Sequence, residues 1–211
     1  LNENAADILT ECVENRKNEL QADFSSKWTD LRTYQQEVNA VYNQYVRTGE
    51  KPLYVDENRQ KLFLKDISAT LITMLRNDSV NGAFVILNNS GVCPTITDYK
   101  QSYYGLCVRD YDQTAAYTDR EDLLTVRCPS SIAADIRCPL DTYWEAWYTF
   151  DTDSFDQGDY FYRPMQQAYQ TPDADAADLA YLSGVHSFVE SSPKMISYSI
   201  PLIGADHTVY G

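Results

Sequence analysis

A long amphipathic stripe near the start of the chain limits the folds that this sequence can adopt. Between residues 5 and 45, apolar side chains recur in helical steps at Leu9, Val13, Leu20, Phe24, Trp28, Leu31, Val38, Val41 and Tyr45. No Pro or Gly interrupts this one-sided pattern until Gly49, so it predicts a single helix. A helix of about 40 residues is ~60 Å long, which exceeds what one small domain can cover. We therefore expect part of the stripe to contact a second subunit, or the helix to continue from a membrane segment upstream.

The remainder of the chain predicts alternating helices and strands. Helical patterns cover residues 56–76, 129–136 and 162–169, and segments of strand type cover residues 83–87, 104–111, 180–183, 195–203 and the end of the chain from Thr208. Strands that follow one another closely near each end favour antiparallel pairing. The order indicates an α+β fold in which a long N-terminal helix leads to one mostly antiparallel sheet with helices on one face.

Charge and motif content narrow the function classes. The net charge of −14 over 211 residues argues against a nucleic-acid partner, because the chain has no basic stripe to displace counterions from phosphates. No phosphate-binding Gly-rich loop, Gly-x-Ser-x-Gly motif or His-Glu-x-x-His motif is present, so we predict no enzyme and no cofactor. Residues 151–159 have the acidic composition of a calcium loop, but Phe155 stands at a ligand position. We predict a solvated loop there and no metal site.

The cysteines leave two alternatives open. The five residues are Cys12, Cys93, Cys107, Cys128 and Cys138, and with only two histidines and no C-x-x-C spacing they do not predict a zinc site. Cys93 and Cys107 flank an expected hairpin connection, and Cys128 and Cys138 bracket a short helical stretch. Either both pairs are disulfides in an oxidising compartment, or all five are reduced and mostly buried thiols.

Three short motifs, in their order along the chain, resemble the Cache family of extracytoplasmic sensors, whose fold is PAS-like. They are residues 104–112 (YGLCVRDYD), residues 159–168 (DYFYRPMQQA) and residues 196–211 (ISYSIPLIGADHTVYG). The first motif, with Leu123, Leu124 and residues 141–144 (DTYW) after it, is similar to the sensor parts of diguanylate cyclases and histidine kinases. The likeness runs from about residue 5 to residue 211.

The resemblance implies a function and a class of ligand. Such a domain binds a small extracellular molecule in its membrane-distal PAS-like module and passes a helix shift to a cytoplasmic output domain. Cache sensors for amino acids carry an Arg-x-Trp-Tyr element on the pocket helix, where the arginine holds the ligand carboxylate. Residues 159–162 match this element, but Asp159 stands where the arginine would be. This difference argues against an α-amino acid and favours a ligand with a cationic or hydroxyl-rich group.

The candidate ligand-binding residues combine aromatic walls with a few fixed polar groups, as a pocket for a polar ligand requires. They are Arg109, Trp147, Phe161, Tyr162, Arg163, Tyr181 and Tyr198. For the aromatic residues the alternative role is ordinary core packing, and for Arg109 it is a salt bridge to one of the many acids.

We expect two regions: a signalling and dimerisation helix at residues 1–50, and a Cache sensor module at residues 51–211 that is membrane-distal and truncated at its C-terminal strand. On this interpretation the chain is the extracytoplasmic domain of a membrane-anchored bacterial signalling protein. Its partners are a small-molecule ligand and a second copy, which contacts the stripe between residues 20 and 41. A secreted carbohydrate-active enzyme or an adhesion module is the alternative function.

Overall fold

The computed structural model describes residues 2–46, 51–77, 80–111, 122–154, 157–189 and 192–211. Its helices are α1 (Asn2–Tyr45), α2 (Glu57–Asp66), α3 (Ser68–Asn77), α4 (Ser130–Ile136) and α5 (Asp159–Gln170), with 3-10 helices at Leu53–Val55 and Ala176–Leu179. Its strands are β1 (Gly82–Ile86), β2 (Gln101–Tyr103), β3 (Gly105–Asp110), β4 (Leu123–Arg127), β5 (Leu140–Glu145), β6 (Tyr148–Phe150), β7 (Tyr181–Leu182) and β8 (Tyr198–Ser199). The predicted α+β class is confirmed.

The centre of the fold is a four-stranded sheet with the strand order β1-β3-β4-β5. β3 pairs antiparallel with both β1 and β4, whereas β5 pairs parallel with β4. Two smaller antiparallel pairs, β2 with β6 and β7 with β8, lie outside this sheet. The central sheet is therefore mostly antiparallel, as expected, and β1 forms one of its edges.

Side chains along β1 alternate between two cores, because successive residues of a strand point to opposite faces. Ala83, Val85 and Leu87 belong to a core that contains α2, α3, α4 and the second half of α1. Phe84 and Ile86 contact a second core, built from α5 and from the ribbon of β2 and β6. Helices thus cover both faces of the sheet. The prediction that they lie on one face is wrong, because the buried side of α5 packs on the face opposite the N-terminal helices.

The two halves of α1 have different surroundings. Side chains of residues 6–20 are exposed, whereas Tyr34, Val38 and Tyr42 are buried in the first core. Tyr42 stacks on Tyr210 with 3.6 Å between ring centroids, which fixes this half of the helix against the end of the chain. The side chains of residues 21–30 lie outside the described residues, so the proposed dimerisation stripe is described only in part.

Two segments are interrupted where their sequence patterns predict one continuous helix or strand. The single helix expected over residues 56–76 is divided into α2 and α3 at Ile67, whose N–H still donates to the carbonyl of Phe63. The strand expected over residues 195–203 is limited to β8 and to isolated bridges at Met195 and Ile203. Pro201 explains the early end of this strand, since proline has no N–H to donate to a ladder.

All five cysteines lie within the described residues, and no disulfide joins any two of them. Cys107, Cys128 and Cys138 are buried, which agrees with the alternative of reduced and mostly buried thiols. In the described part of the chain, no three histidine, cysteine or acidic side chains cluster closely enough to hold a metal ion. Within the same residues, no helix has the length and apolar character needed to cross a membrane.

Candidate functional site

A cavity of about 690 Å³ lies along the outer edge of β1. This volume falls in the range of roughly 300–1,000 Å³ that is typical of small-molecule sites. β1 forms one wall and residues 194–200 form another. The helices supply mainly apolar side chains: Leu31, Tyr34, Gln35 and Val38 from α1, Leu71 and Met74 from α3, and Tyr160, Phe161, Pro164 and Met165 from α5.

A glycine fixes the start of α5. Gly158 has a φ of 71°, in the left-handed region that a side chain disfavours. A Cβ at this position would also lie 2.7 Å from a ring carbon of Phe150. The backbone can therefore approach the ribbon of β2 and β6 closely, and α5 begins at the position that brings its first turns against the cavity.

A proline inside α5 provides the link to β8. Pro164 has no N–H, so it cannot donate to the carbonyl of Tyr160 four residues earlier. The hydroxyl of Ser199 donates to that carbonyl instead. β8 is thereby attached to α5 and to β7, while the cavity separates it from β1.

The second half of α1 lines the cavity and is hydrogen-bonded to the segment that follows β8. Gln35 Nε2 donates to the carbonyl of Pro201 at 3.4 Å, and Asn39 Nδ2 donates to the carbonyl of Ile203 at 3.0 Å. Asn39 also accepts a hydrogen bond from the hydroxyl of Tyr210. A change in the width of the cavity would therefore act on α1 directly and through these bonds.

Three of the seven residues predicted from the sequence line this cavity. Arg109 lies on β3 opposite Gly82, and its guanidinium is 4.9 Å from the ring centre of Tyr111. Phe161 is on α5, where it is buried and also packs on the second core. Tyr198 is on β8, and burial raises the pKa of its hydroxyl, which stays protonated at neutral pH.

The other four predicted residues lie elsewhere. Trp147 packs edge-on against Tyr104 with 4.5 Å between ring centroids, Tyr162 is buried in the second core, Arg163 is exposed on α5, and Tyr181 is half-buried on β7 opposite Ser199. Phe161, Tyr162 and Arg163 separate because successive residues of an α-helix are rotated by about 100°. Their adjacency in the sequence therefore does not make one site.

Sequence reasoning missed the walls that β1, α1 and α3 contribute. The run at residues 83–87 was identifiable as a strand, but strand order decides that it forms an edge, and no short-range signal carries that order. The apolar stripe of α1 was also visible. Nothing in its spacing distinguishes side chains that line a cavity from side chains that fill a core.

Charge within the cavity comes from two cations. Arg109 and Lys194 are the charged residues among its described lining. Asp159, from which we expected a preference for cationic ligands, is not part of that lining. The cavity itself therefore favours a ligand with apolar groups and a carboxylate or another anion.

Cys107 at the cavity wall and His186, which stacks on the wall residue Tyr160, are both neutral at physiological pH. Burial raises the pKa of the Cys107 thiol to about 11, so it is not a thiolate nucleophile near neutral pH. Burial lowers the pKa of His186 to about 4. The His186 ring stacks on Tyr160 at 4.5 Å, and its Nε2 shares a hydrogen bond of 2.8 Å with the hydroxyl of Ser197. Neither residue therefore adds charge to the cavity.

Comparison of the chain with protein-family models, with curated proteins and with solved structures gave no match. The geometry of the cavity and the residues that line it therefore provide the basis for assigning a function.

Proposed function

We propose that the chain is the extracytoplasmic ligand-sensing domain of a membrane-bound signalling protein of the Cache type. The ligand lies in the cavity beside β1. The observation that carries the proposal is the convergence of Arg109, Phe161 and Tyr198, from β3, α5 and β8, on one mainly apolar cavity. An apolar pocket with a few convergent polar groups is the usual form of a binding site.

The shape of α1 supports a sensory role. A helix of 44 residues is ~66 Å long at 1.5 Å per residue. Its second half lines the cavity, and the side chains of residues 6–20 are exposed. A ligand that changes the contacts of the second half acts on a rigid element that extends to the first half. A relay of this kind requires the ligand to bind two positions of α1 with different affinity.

A secreted carbohydrate-active enzyme or an adhesion module remains the alternative, but no observation in the described residues favours it. Six aromatic side chains are buried together in the second core. Tyr103, Tyr148, Phe150 and Tyr162 pack on one another there. They do not form an exposed platform for a sugar.

A thermal-shift screen of the purified domain tests the proposal. The panel contains organic acids, amines, sugars, nucleobases and short peptides. A ligand present at 100 times its Kd stabilises the folded state by about 2.7 kcal/mol. For a chain of this length, that raises Tm by roughly 5–10 °C.

A pair of arginine variants locates the site. Arg109→Ala removes a cavity residue, whereas Arg163→Ala removes an exposed arginine of α5 outside the cavity. We expect the ligand-induced shift to be lost or strongly reduced in the first variant and kept in the second. Equal shifts in both variants would place the ligand elsewhere, and no shift with any compound in the panel would contradict the sensory proposal.

A further inference from the structure

The chain contains one Asn-Gly sequence, at Asn81 and Gly82, and Gly82 is the first residue of β1. Both residues are exposed to solvent. An asparagine side chain can react with the backbone nitrogen of the next residue, because the product is a five-membered ring. Glycine at that next position has no Cβ to obstruct the approach of the two groups. Asn81 and Gly82 therefore have the covalent structure that this reaction requires.

The pairing of β1 with β3 leaves the nitrogen of Gly82 without a ladder bond to β3. The N–H of Asp110 donates to the carbonyl of Asn81 at 3.1 Å, and Gly82 lies opposite Arg109. In an antiparallel ladder, pairs of residues that exchange hydrogen bonds alternate with pairs that do not. Because Asn81 and Asp110 form a bonded pair, Gly82 and Arg109 form a non-bonded one. The sheet thus fixes the carbonyl of Asn81 but not the nitrogen that would attack its side chain.

Two other asparagines at the opposite end of β1 are held by hydrogen bonds. Asn88 is buried, and its Nδ2 donates to the hydroxyl of Tyr169 at 2.9 Å. Nδ2 of Asn89 donates to the carbonyl of Ser102 at 2.7 Å. The backbone N–H of Ser90, which would attack Asn89, instead donates to Oδ1 of Asn88 at 3.2 Å. Neither asparagine is followed by glycine, so both should react more slowly than Asn81.

We propose that Asn81 is a site of spontaneous modification, at which the asparagine becomes aspartate or isoaspartate. The nitrogen of Gly82 attacks Cγ of Asn81, and a C–N bond forms between these two atoms. The bond from Cγ to Nδ2 breaks, and Nδ2 leaves as ammonia with the proton from Gly82. Water then opens the cyclic imide at one of its two carbonyls and returns a proton to the Gly82 nitrogen. The net reaction consumes one water and releases one ammonia, with no oxidant or reductant. The inference does not depend on the proposed function.

The two products differ in their effect on the sheet. Opening of the imide at Cγ gives aspartate and keeps the original main chain. Opening at the main-chain carbonyl gives isoaspartate, in which the chain continues through Cγ and gains one carbon. The carbonyl that accepts the hydrogen bond from Asp110 then becomes part of a free carboxylate. Isoaspartate therefore alters the ladder between β1 and β3 at its first bond.

Both products add a negative charge to the cavity beside β1. Asn81 is part of the lining of that cavity, and the charged residues of the described lining are Arg109 and Lys194. Since Gly82 lies opposite Arg109, the new carboxylate forms at the same end of β1 as the guanidinium. The net positive charge of the lining falls by one unit, so a modified chain should bind an anion more weakly than an unmodified one.

Peptide mapping by mass spectrometry tests the inference. The purified folded chain is incubated at about pH 8 in ordinary water or in water enriched in oxygen-18, and is then digested in ordinary water. Conversion raises the mass of the peptide that contains Asn81 by about 1 Da in ordinary water and by about 3 Da in the enriched water, because the new oxygen comes from the solvent. Fragment ions identify the converted residue. We expect conversion at Asn81 to be at least about tenfold faster than at Asn88 or Asn89.

Two variants test the chemistry at this site. In Gly82→Ala, the added Cβ would lie 3.5 Å from Cγ of Arg109, an ordinary contact, so this variant should fold. Its methyl group obstructs the attack, and conversion at Asn81 should be at least about tenfold slower than in the wild type. In Asn81→Gln the ring would need six members, and position 81 should stay unmodified over the same time. Circular dichroism checks that both variants are folded.

A chain unfolded in guanidinium chloride at the same pH provides the reference for the effect of the fold. Conversion of the folded wild type at Asn81, slowed in Gly82→Ala and with oxygen taken from water, would support the inference. Conversion that occurs only in the unfolded chain would overturn it, because the fold would then protect Asn81. Equal rates in wild type and Gly82→Ala would exclude attack by the Gly82 nitrogen. Conversion at Asn88 or Asn89 as fast as at Asn81 would contradict the assignment of the site.

Discussion

A buried ion cluster connects α3 to the sheet beside the cavity, and its removal should be strongly destabilising. Arg76 Nη1 lies 2.6 Å from Asp110 Oδ2, and Arg76 Nη2 lies 2.8 Å from Asp122 Oδ1. The side chains of Arg76, Asp110 and Asp122 are 5%, 1% and 14% exposed. One guanidinium thus pairs with two carboxylates that have little access to water.

Replacing Arg76 with leucine leaves these two carboxylates buried without their counter-charge. Breaking a buried ion pair from one side typically costs about 3–5 kcal/mol, and the near-complete burial of Asp110 places this site in that range. The corresponding fall in Tm is roughly 6–20 °C for a chain of this length. Urea unfolding followed by circular dichroism measures the free energy of unfolding directly.

The pH dependence of the free energy of unfolding provides a second test of the role of Arg76. Hydrogen bonding to Arg76 holds the pKa of Asp122 below its usual value. A carboxyl whose pKa is lowered in the folded state contributes stability at neutral pH, and this contribution is lost as the pH falls through the folded pKa. The difference in stability between wild type and Arg76→Leu should therefore be largest near pH 7. It should shrink as the pH falls below the ordinary aspartate pKa of about 3.9.

An exposed arginine provides the matched control. Arg16 pairs with Glu19 at 3.0 Å on the first half of α1, where the two side chains are 71% and 66% exposed. Arg16→Leu should change the free energy of unfolding by no more than about 0.5 kcal/mol, because water screens such a pair. A cost below about 1 kcal/mol for Arg76→Leu at pH 7, or a difference that does not shrink in acid, would refute the argument from burial.

Three further predictions follow from local geometry. Because burial lowers the pKa of His186 to about 4, protonation opposes folding, so Tm should fall between pH 6.5 and pH 4 in the wild type but not in His186→Gln. Gly105→Ala should cost about 1–3 kcal/mol in urea unfolding, since its Cβ would lie 2.6 Å from the Tyr148 ring, whereas Gly184→Ala meets no atom within 4 Å and should cost less than about 0.5 kcal/mol. Deletion of residues 1–20 should change the urea midpoint little, because the side chains of residues 6–20 are exposed.

The sequence predicted those helices and strands whose apolar residues recur with a helical or strand spacing. α1, α4 and most of α5 have helical spacing, and β1 and β3 are short apolar runs bounded by turns. Local spacing does not determine which element covers which face of a sheet. α5 packs on the opposite face because β2 and β6 form a ribbon there, and their pairing joins residues almost fifty positions apart.

The same distinction applies to the residues of the candidate site. Arg109, Phe161 and Tyr198 were identifiable as an arginine and two aromatic residues on elements of the expected type. Tyr162 has the same chemistry and lies one residue after Phe161, yet it is buried in the second core. The sequence identifies side chains suited to a pocket, but only the rotation of α5 against its neighbours decides which of them face the cavity.

Under the proposed function, the position of the cavity also determines how ligand binding could displace α1. A ligand that bridges β1 and residues 194–200 connects the sheet to the segment whose carbonyls at Pro201 and Ile203 accept hydrogen bonds from α1. Drawing these two walls together moves the acceptors that position Gln35 and Asn39, and the helix must follow or break the bonds. Since α1 is continuous from Asn2 to Tyr45, a small displacement of its second half carries over to its first half. In the proposed sensory domain, a ligand held only by side chains of α5 would lack this connection to α1.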